Sequence, residues 1–239
     1  MPELTFRAAE SAADKAAVLR LRDEVYVKDQ GRLADAADMR STFDRFDRQA
    51  VYLLAESDAT PVGTIKLIAD SPAGLPCEEA VDLTEVRPGN RLVEYGHLLT
   101  LPSVRSRAVA TGLMREAVVY SAARLGATHV LGDFFIDSTG ALHAFYTHLG
   151  FGPLGEPYRD ARFQDAPLSV VALLDLADAA RRCAQVEGRR GELLRYFFHD
   201  YHEQVSRYHD QVSRAALATA DTAAAESVPA ESTEAGAGV

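Results

Sequence analysis

Apolar and polar positions alternate along this chain with two different periods. Residues 4–8, 50–56, 62–69, 91–101 and 129–136 are short apolar or alternating runs bounded by turn residues, the pattern of strands. Asp58-Ala59-Thr60-Pro61 separates the second run from the third and predicts a hairpin turn. Ala17, Val18, Leu21 and Val25 recur at helical spacing behind Ser11 and Asp14, which resemble an N-cap pair. Helices are expected over 109–125, closed by Gly126, and over 140–149, closed by Gly150. Residues 151–158 and 168–176 read as two more strands, 28–47 as a polar loop with or without a short helix, and 80–86 as a short strand or helix. This order predicts an α/β protein built on a mixed sheet (α+β in its strand directions) with helices on both faces.

The character changes at Asp178. Leu194, Phe197, Tyr201, Val205, Tyr208 and Val212 recur at spacings of three and four, an apolar stripe on one long helix. Such a stripe packs on the preceding domain or on a second subunit, so a homodimer through this helix is one option. The expected organisation is an α/β domain over 1–176, a C-terminal helical extension over 177–216 and a tail over 217–239. The tail holds no basic residue and is rich in Ala, Glu, Ser, Thr and Gly, a composition that predicts disorder.

Composition narrows the function classes. The 239 residues carry a formal net charge of -10, which argues against nucleic acid as the main partner. Cys77 and Cys183 stand far apart in no metal-binding spacing, which fits a reducing cytosol. No basic-then-apolar leader is visible, and no apolar run nears the roughly 20 residues that span a bilayer. A cytoplasmic protein without a membrane span is therefore expected. His199, Asp200, His202 and His209 place histidines at i and i+3 but offer no third ligand. Solvated or interface histidines are the favoured reading there, and no metal is expected.

Candidate chemistry gathers between the strand at 91–101 and the helix after it. The first N–H groups of a helix lack intrahelical partners and carry the positive dipole end. The small side chains in Ser106-Arg107-Ala108-Val109-Ala110 let a phosphate approach them, and Arg105 and Arg107 add charge. With Leu99, Leu101 and Thr111 these residues form the predicted cofactor-binding stretch; the competing reading is a plain helix start with solvated arginines. Tyr146 lies on the helix after the next strand, where its phenol can protonate a departing thiolate. A half-buried core tyrosine is the alternative. Glu94 and His97 of the strand are rival candidates to take a proton from an attacking ammonium, a carboxylate and an imidazole that titrates near neutrality, and for His97 by itself a satisfied core histidine is the favoured reading. Three apart on a regular strand, the two point to opposite faces unless a bulge intervenes. Arg22, Asp44, Asp47 and Lys66 form either an ion-pair cluster that ties the first helix to the sheet or a set of substrate contacts.

Arg105, Ala108 and Ala110, with Tyr146 ahead of Leu149-Gly150-Phe151, resemble the GNAT acyltransferase superfamily. Its members bind the carrier's pyrophosphate at an Arg/Gln-x-x-Gly-x-Gly/Ala loop and often place a Tyr ahead of Leu-Gly-Phe. Ala108 stands at the loop's Gly. The N-terminal half resembles the acyl-homoserine-lactone synthases and the related N-acyl amino acid synthases. Arg22 and Tyr26 match their Arg-x-x-x-Phe helix, and Asp44 and Asp47 their Asp-x-x-Asp. Lys66 replaces the Arg of a Gly-x-x-Arg-Leu strand. Glu94 matches the Glu of a Glu-x-Ser-Arg strand, with Gly96 and His97 in place of Ser-Arg.

The resemblance covers about residues 4–176. It implies a GNAT-like fold with a central splayed sheet and an N-acyltransferase that uses acyl-CoA or an acyl carrier protein thioester. The implied acceptor is a small, amino-acid-like amine. It further implies an oxyanion site at strand N–H groups near Leu98 to Leu101, with Arg105, Arg107 and Arg115 facing an acidic carrier protein. Phe134, Phe135 and Phe145 would line or plug a tunnel for a long acyl chain. The rival readings are an ordinary acetyl-CoA-dependent small-amine acetyltransferase and a non-catalytic GNAT-like interaction module.

Overall fold

The computed structural model describes residues 3–34, 44–105, 107–161, 163, 166–188 and 191–210, without the side chains of Asp44, Arg45 and Arg107. Strand β1 (Leu4–Ala8) leads into helix α1 (Ala12–Arg22), then β2 (Ala50–Ser57), β3 (Thr60–Ala69) and β4 (Leu92–Thr100). Helix α2 (Arg107–Leu125), β5 (His129–Phe135) and α3 (Ala141–Leu149) follow. The chain ends with β6 (Gly152–Pro153), β7 (Tyr158–Arg159), β8 (Leu168–Asp175), α4 (Leu176–Gln185), α5 (Glu192–Phe198) and a helix over 201–210.

Local chemistry explains the boundaries. Asp14 N–H donates to Ser11 Oγ at 3.1 Å and Ser11 N–H donates back to Asp14 Oδ2 at 3.0 Å, a reciprocal capping box that starts α1. Gly126 and Gly150, with φ of 63° and 105°, end α2 and α3 in a conformation that costs glycine little. Asp58 and Ala59 also take positive φ, which matches a tight hairpin between β2 and β3.

The sheet runs β1-β2-β3-β4-β5-β8-β6, with β7 also paired to β8. Every pair is antiparallel except β4 with β5. A parallel pair needs a long crossover, and α2 supplies it. Leu53, Ile65, Leu67, Val93 and Tyr95 face one side of the sheet and bury α2, α3 and the C-terminal helices. Ile68, Leu92, Leu131 and Val171 face the other side, under the loop that carries Leu75, Cys77 and Leu83. On that second side Val18 and Leu21 of α1 cover Leu54. The layers are tight: a Cβ added at Gly112 of α2 would lie 2.3 Å from Phe6 Cζ of β1.

Three sequence expectations are corrected. Residues 151–158 form two two-residue strands instead of one, because Pro153 and Pro157 have no N–H to give and Gly155 turns at φ 90°. Residues 80–86 form turns: Val81 N–H donates to Cys77 O and Val86 N–H to Leu83 O, both at 3.0 Å. The long helix expected to carry the stripe from Leu194 is broken at His199–Asp200, α4 precedes it across a turn that includes Gly188 (φ 71°), and Val212 lies outside the described residues. Residues Asp23–Asp29 continue α1 as a wider π-helical turn that takes in the first two residues of the expected 28–47 loop.

The C-terminal helices pack on their own domain. Leu194, Phe197, Phe198 and Tyr201 are buried in the main core. Asp200 accepts two hydrogen bonds from Arg115 of α2, at 2.8 and 3.0 Å, and the Tyr208 hydroxyl donates to Glu116 at 3.1 Å. Replacing Phe197, 1% exposed, by alanine should therefore cost the whole domain about 3–5 kcal/mol. Replacing Tyr196, 42% exposed, should cost no more than about 1 kcal/mol. Urea unfolding of the two variants checks the difference, and equal midpoints would mean that the extension is not part of the cooperative unit.

Candidate active site

β4 and β5 pair from Leu92–His129 to Tyr95–Gly132 and then part. Both strands continue, β4 to Thr100 along β3 and β5 to Phe135 along β8. At the same level β4 carries an extra residue, since Lys66 opposes Gly96 while Thr64 opposes Leu99. His97 sits in this bulge at φ 49°, a left-handed conformation that is uncommon for a residue with a Cβ.

The extra residue inverts the facing of β4. Before it, Leu92 faces the Cys77 side while Val93 and Tyr95 face α2. After it, Leu99 faces Tyr26 and Val25 while Leu98 faces the α2 side. Glu94 and His97 therefore end on the same side and line one cleft of about 210 Å³. Tyr146 of α3 reaches that cleft through the gap between the strands, so the three predicted catalytic residues are brought together.

Each is held differently. Glu94 is 4% exposed and accepts the Cys77 N–H at 2.9 Å. The Cys77 thiol itself is pushed far up, by burial first and by Glu94 second, so it stays protonated. His97 Nδ1 shares a hydrogen bond of 2.9 Å with the Tyr26 hydroxyl. The Tyr146 ring stacks on Phe134 with centroids 3.4 Å apart, and burial pushes its phenol above the ordinary value. A phenol so placed holds its proton at neutral pH.

A second groove opens on the other side of the gap, between α2 and α3. Leu98, Ala110, Thr111, Met114, Leu142 and Tyr146 line it, and three of these also line the first cleft. Of the predicted cofactor-binding stretch, Ala110 and Thr111 thus face an open groove and Ala108 is exposed. Val109 is buried against Gly63, and Leu101 spends its N–H on Val62 O at 2.9 Å. Leu99 lines the first cleft. Arg105 pairs with Asp29 at the end of the π-helical turn. Ser106 lies outside the described residues, as does the side chain of Arg107.

Of the four predicted substrate-binding residues, three form an ion-pair cluster. Lys66, 1% exposed, pairs with Asp47 Oδ1, and Arg22, also 1% exposed, lies 3.7 Å from the same oxygen. The Tyr52 hydroxyl donates to that oxygen at 2.7 Å and accepts from Arg22. The cluster ties α1 to β2 and β3. The Asp44 side chain lies outside the described residues.

Sequence reasoning missed several residues of the cleft. Asp133 of β5 accepts the Tyr158 hydroxyl at 2.8 Å, and Asp160 is 6% exposed. An acid inside the apolar run His129–Phe135 was the available signal for Asp133. Arg32 also lines the cleft, with its Cζ 4.3 Å from the Phe135 ring centroid. No local pattern marks Arg32, because the turn that delivers it is irregular. Among the described residues no cluster of three His, Cys, Asp or Glu could hold a metal ion, and no helix is long and apolar enough to cross a membrane.

Comparison with known proteins bears on the family and the fold. The family model for N-acyl amino acid synthase FeeM matches residues 17–174. The solved structure of FeeM, an N-acyl amino acid synthase from uncultured soil microbes, superposes with a TM-score of 0.62 at 19% identity, covering 76% of this chain and 95% of that one. A putative N-acetyltransferase from Lactobacillus plantarum gives 0.51 at 22% identity, covering 72% and 98%. An acyl-CoA N-acyltransferase from Pseudomonas aeruginosa gives 0.50 at 19%, covering 72% and 99%. No curated protein sequence matches the chain. The GNAT-like fold expected from the sequence is the fold observed.

The ion-pair cluster yields a stability test. Asp47→Asn leaves Arg22 and Lys66 buried without their shared anion and should cost about 2–4 kcal/mol, less than for a fully buried acid because Asp47 is 30% exposed. Asp29→Asn, which breaks only the surface pair with Arg105, should cost less than about 1 kcal/mol. Thermal and urea unfolding compare them; equal losses would show that the cluster carries no special share of stability.

Proposed function

The chain belongs to the FeeM family of N-acyl amino acid synthases and is a GNAT-type N-acyltransferase, and from that premise we propose that it moves an acyl group from an acyl-CoA or acyl carrier protein thioester to the amine of a small, amino-acid-like acceptor. One observation carries this reading. The parting of β4 from β5 lets Glu94 and Tyr146, which come from opposite sides of the sheet, line a single cleft.

The donor lies in the groove between α2 and α3, with its pyrophosphate at the first turn of α2 beside Arg105. The thioester carbonyl sits in the gap. Leu101 directs its N–H to β3, so strand alternation turns the N–H groups of Leu98 and Thr100 toward the gap, where an oxyanion forms. The acceptor enters the cleft on the Glu94 side. Its amine nitrogen bonds to the carbonyl carbon, and Glu94 takes the proton lost from nitrogen, directly or through water. The carbon–sulfur bond breaks, Tyr146 gives its proton to the departing sulfur, and solvent restores that proton. The products are an amide and a free thiol.

His97 orients the cleft through Tyr26, so Glu94 is the base in this reading. The acceptor's amino-acid character draws support from the family model and from the relative's own description as an N-acyl amino acid synthase. The carrier's identity draws support from the acyl-CoA enzyme among the similar structures.

Tyr146→Phe and Glu94→Gln should each lower kcat by about 100-fold or more and leave the donor KM nearly unchanged, because both groups act on the chemical step. Burial raises the Tyr146 phenol, so no falling limb from this residue should enter the rate profile below about pH 10. Steady-state kinetics from pH 6 to 10 check both. The reaction itself is tested by incubating the full chain with acetyl-, octanoyl- or palmitoyl-CoA and the standard amino acids, with products read by mass spectrometry. N-acyl amino acids are expected. Acetylation confined to amines without a carboxylate would replace this reading with that of a small-amine acetyltransferase, and no product with any donor would overturn coenzyme A as the carrier.

A further inference from the structure

Arg22 and Lys66 are the cations that the sequence motifs offer to an acceptor carboxylate, yet both converge on Asp47. Arg32 is arranged differently. Its N–H donates to the Tyr26 carbonyl at 2.8 Å, just past the π-helical turn, which directs the chain toward the cleft. Its guanidinium lies over the Phe135 ring, at the splayed end of β5, with Cζ 4.3 Å from the centroid. Among the described residues Arg32 makes no ion pair and no side-chain hydrogen bond. Asp133 and Asp160 line the same cleft without pairing to it, and Asp133 instead accepts the Tyr158 hydroxyl at 2.8 Å.

A half-buried cation without an anion has given up hydration for nothing in return. The cost shows as a pKa pulled down by burial and only partly restored by Tyr26. A guanidinium held over an aromatic face keeps N–H donors for a further partner, and its fork matches both oxygens of a carboxylate. The aromatic wall lowers the local dielectric and strengthens such a pair.

We infer that Arg32 binds the carboxylate of the acceptor, so that an α-amino acid is held by its acid group at the Phe135 wall with its amine toward Glu94. The inference rests on the acyltransferase reading above and makes it more specific. Arg32 sets a preference for free amino acids over their esters and over amines that lack the acid, and the product keeps an anionic carboxylate.

The test uses the full chain, its Arg32→Gln and Arg32→Lys variants, and whichever of acetyl-, octanoyl- and palmitoyl-CoA is turned over fastest. Acceptors are the standard amino acids and their methyl esters. The wild type should prefer at least one acid over its ester. Arg32→Gln should lose about 10- to 100-fold in kcat/KM for that acid, mainly through KM. Its kcat/KM for the ester should fall far less than for the acid, so that the acid-over-ester ratio collapses, and a urea-unfolding midpoint matching the wild type shows that the variant is folded. Arg32→Lys should fall between, because a point charge replaces a bidentate fork. An Arg32→Gln variant that keeps the acid-over-ester preference overturns the role of Arg32 and leaves the acyltransferase reading standing, as does a wild type that uses acid and ester equally. A wild type that acylates no acceptor from these donors, nor from the same acyl chains carried on an acyl carrier protein, overturns the acyltransferase reading, and the role of Arg32 with it.

Discussion

Hydrogen bonding between two parallel strands that stops partway is the constraint on which the site depends. β4 and β5 share only the register from Leu92–His129 to Tyr95–Gly132. Beyond it each is claimed by its other neighbour, β4 by β3 as far as Thr100–Gly63 and β5 by β8 as far as Phe135–Ser169. Neither strand can swing back without breaking an antiparallel ladder. The gap is therefore permanent, and the backbone groups that line it have no strand partner across it. The bulge at His97 adds a second consequence, because one extra residue exchanges the faces of β4 and turns His97 to the side of Glu94.

Charge is distributed unevenly around that gap. Two buried cations, Arg22 and Lys66, share the carboxylate of Asp47 with the Tyr52 hydroxyl, and the arrangement fixes α1 on the sheet. It serves position: α1 continues into the π-helical turn that supplies Tyr26 to His97 and Arg32 to the cleft. The acids of the cleft are likewise restrained, Glu94 by a backbone N–H and Asp133 by Tyr158. Tyr146 is held in an apolar stack that keeps its proton on. Fixed dipoles and charges of this kind need little rearrangement when charge develops on a substrate.

The C-terminal extension has a structural part in this. Arg115 of α2 is bound by Asp200, and Phe197 lies near Phe145 of α3, with ring centroids 6.5 Å apart. The two helices that flank the second groove are thus braced from behind by the last helices of the chain. The apolar stripe that the sequence offered either to the domain or to a second subunit is used by the domain, since Leu194, Phe197 and Tyr201 are all buried.

Sequence alone determined the elements whose cause is local. The period of apolar positions set β1 to β5, α2 and α3; Ser11 and Asp14 set the start of α1; Gly126 and Gly150 set two helix ends. It also marked Glu94, His97 and Tyr146, through the proton chemistry that their side chains offer and, for Glu94 and Tyr146, through the family motifs on which they fall. It could not decide which of them meet. Strand parity separates Glu94 from His97, and only the bulge, forced by the mismatch of β4 against β3, reunites them. It offered Arg22 and Lys66 as contacts for an acceptor and gave no sign of Arg32. Whether a cation faces a carboxylate of its own chain or an open cleft depends on residues far away in sequence, here Asp47 for the first two and Phe135 for the third. Pairing of charges and closure of gaps are relations between distant segments, and tertiary packing alone decides them.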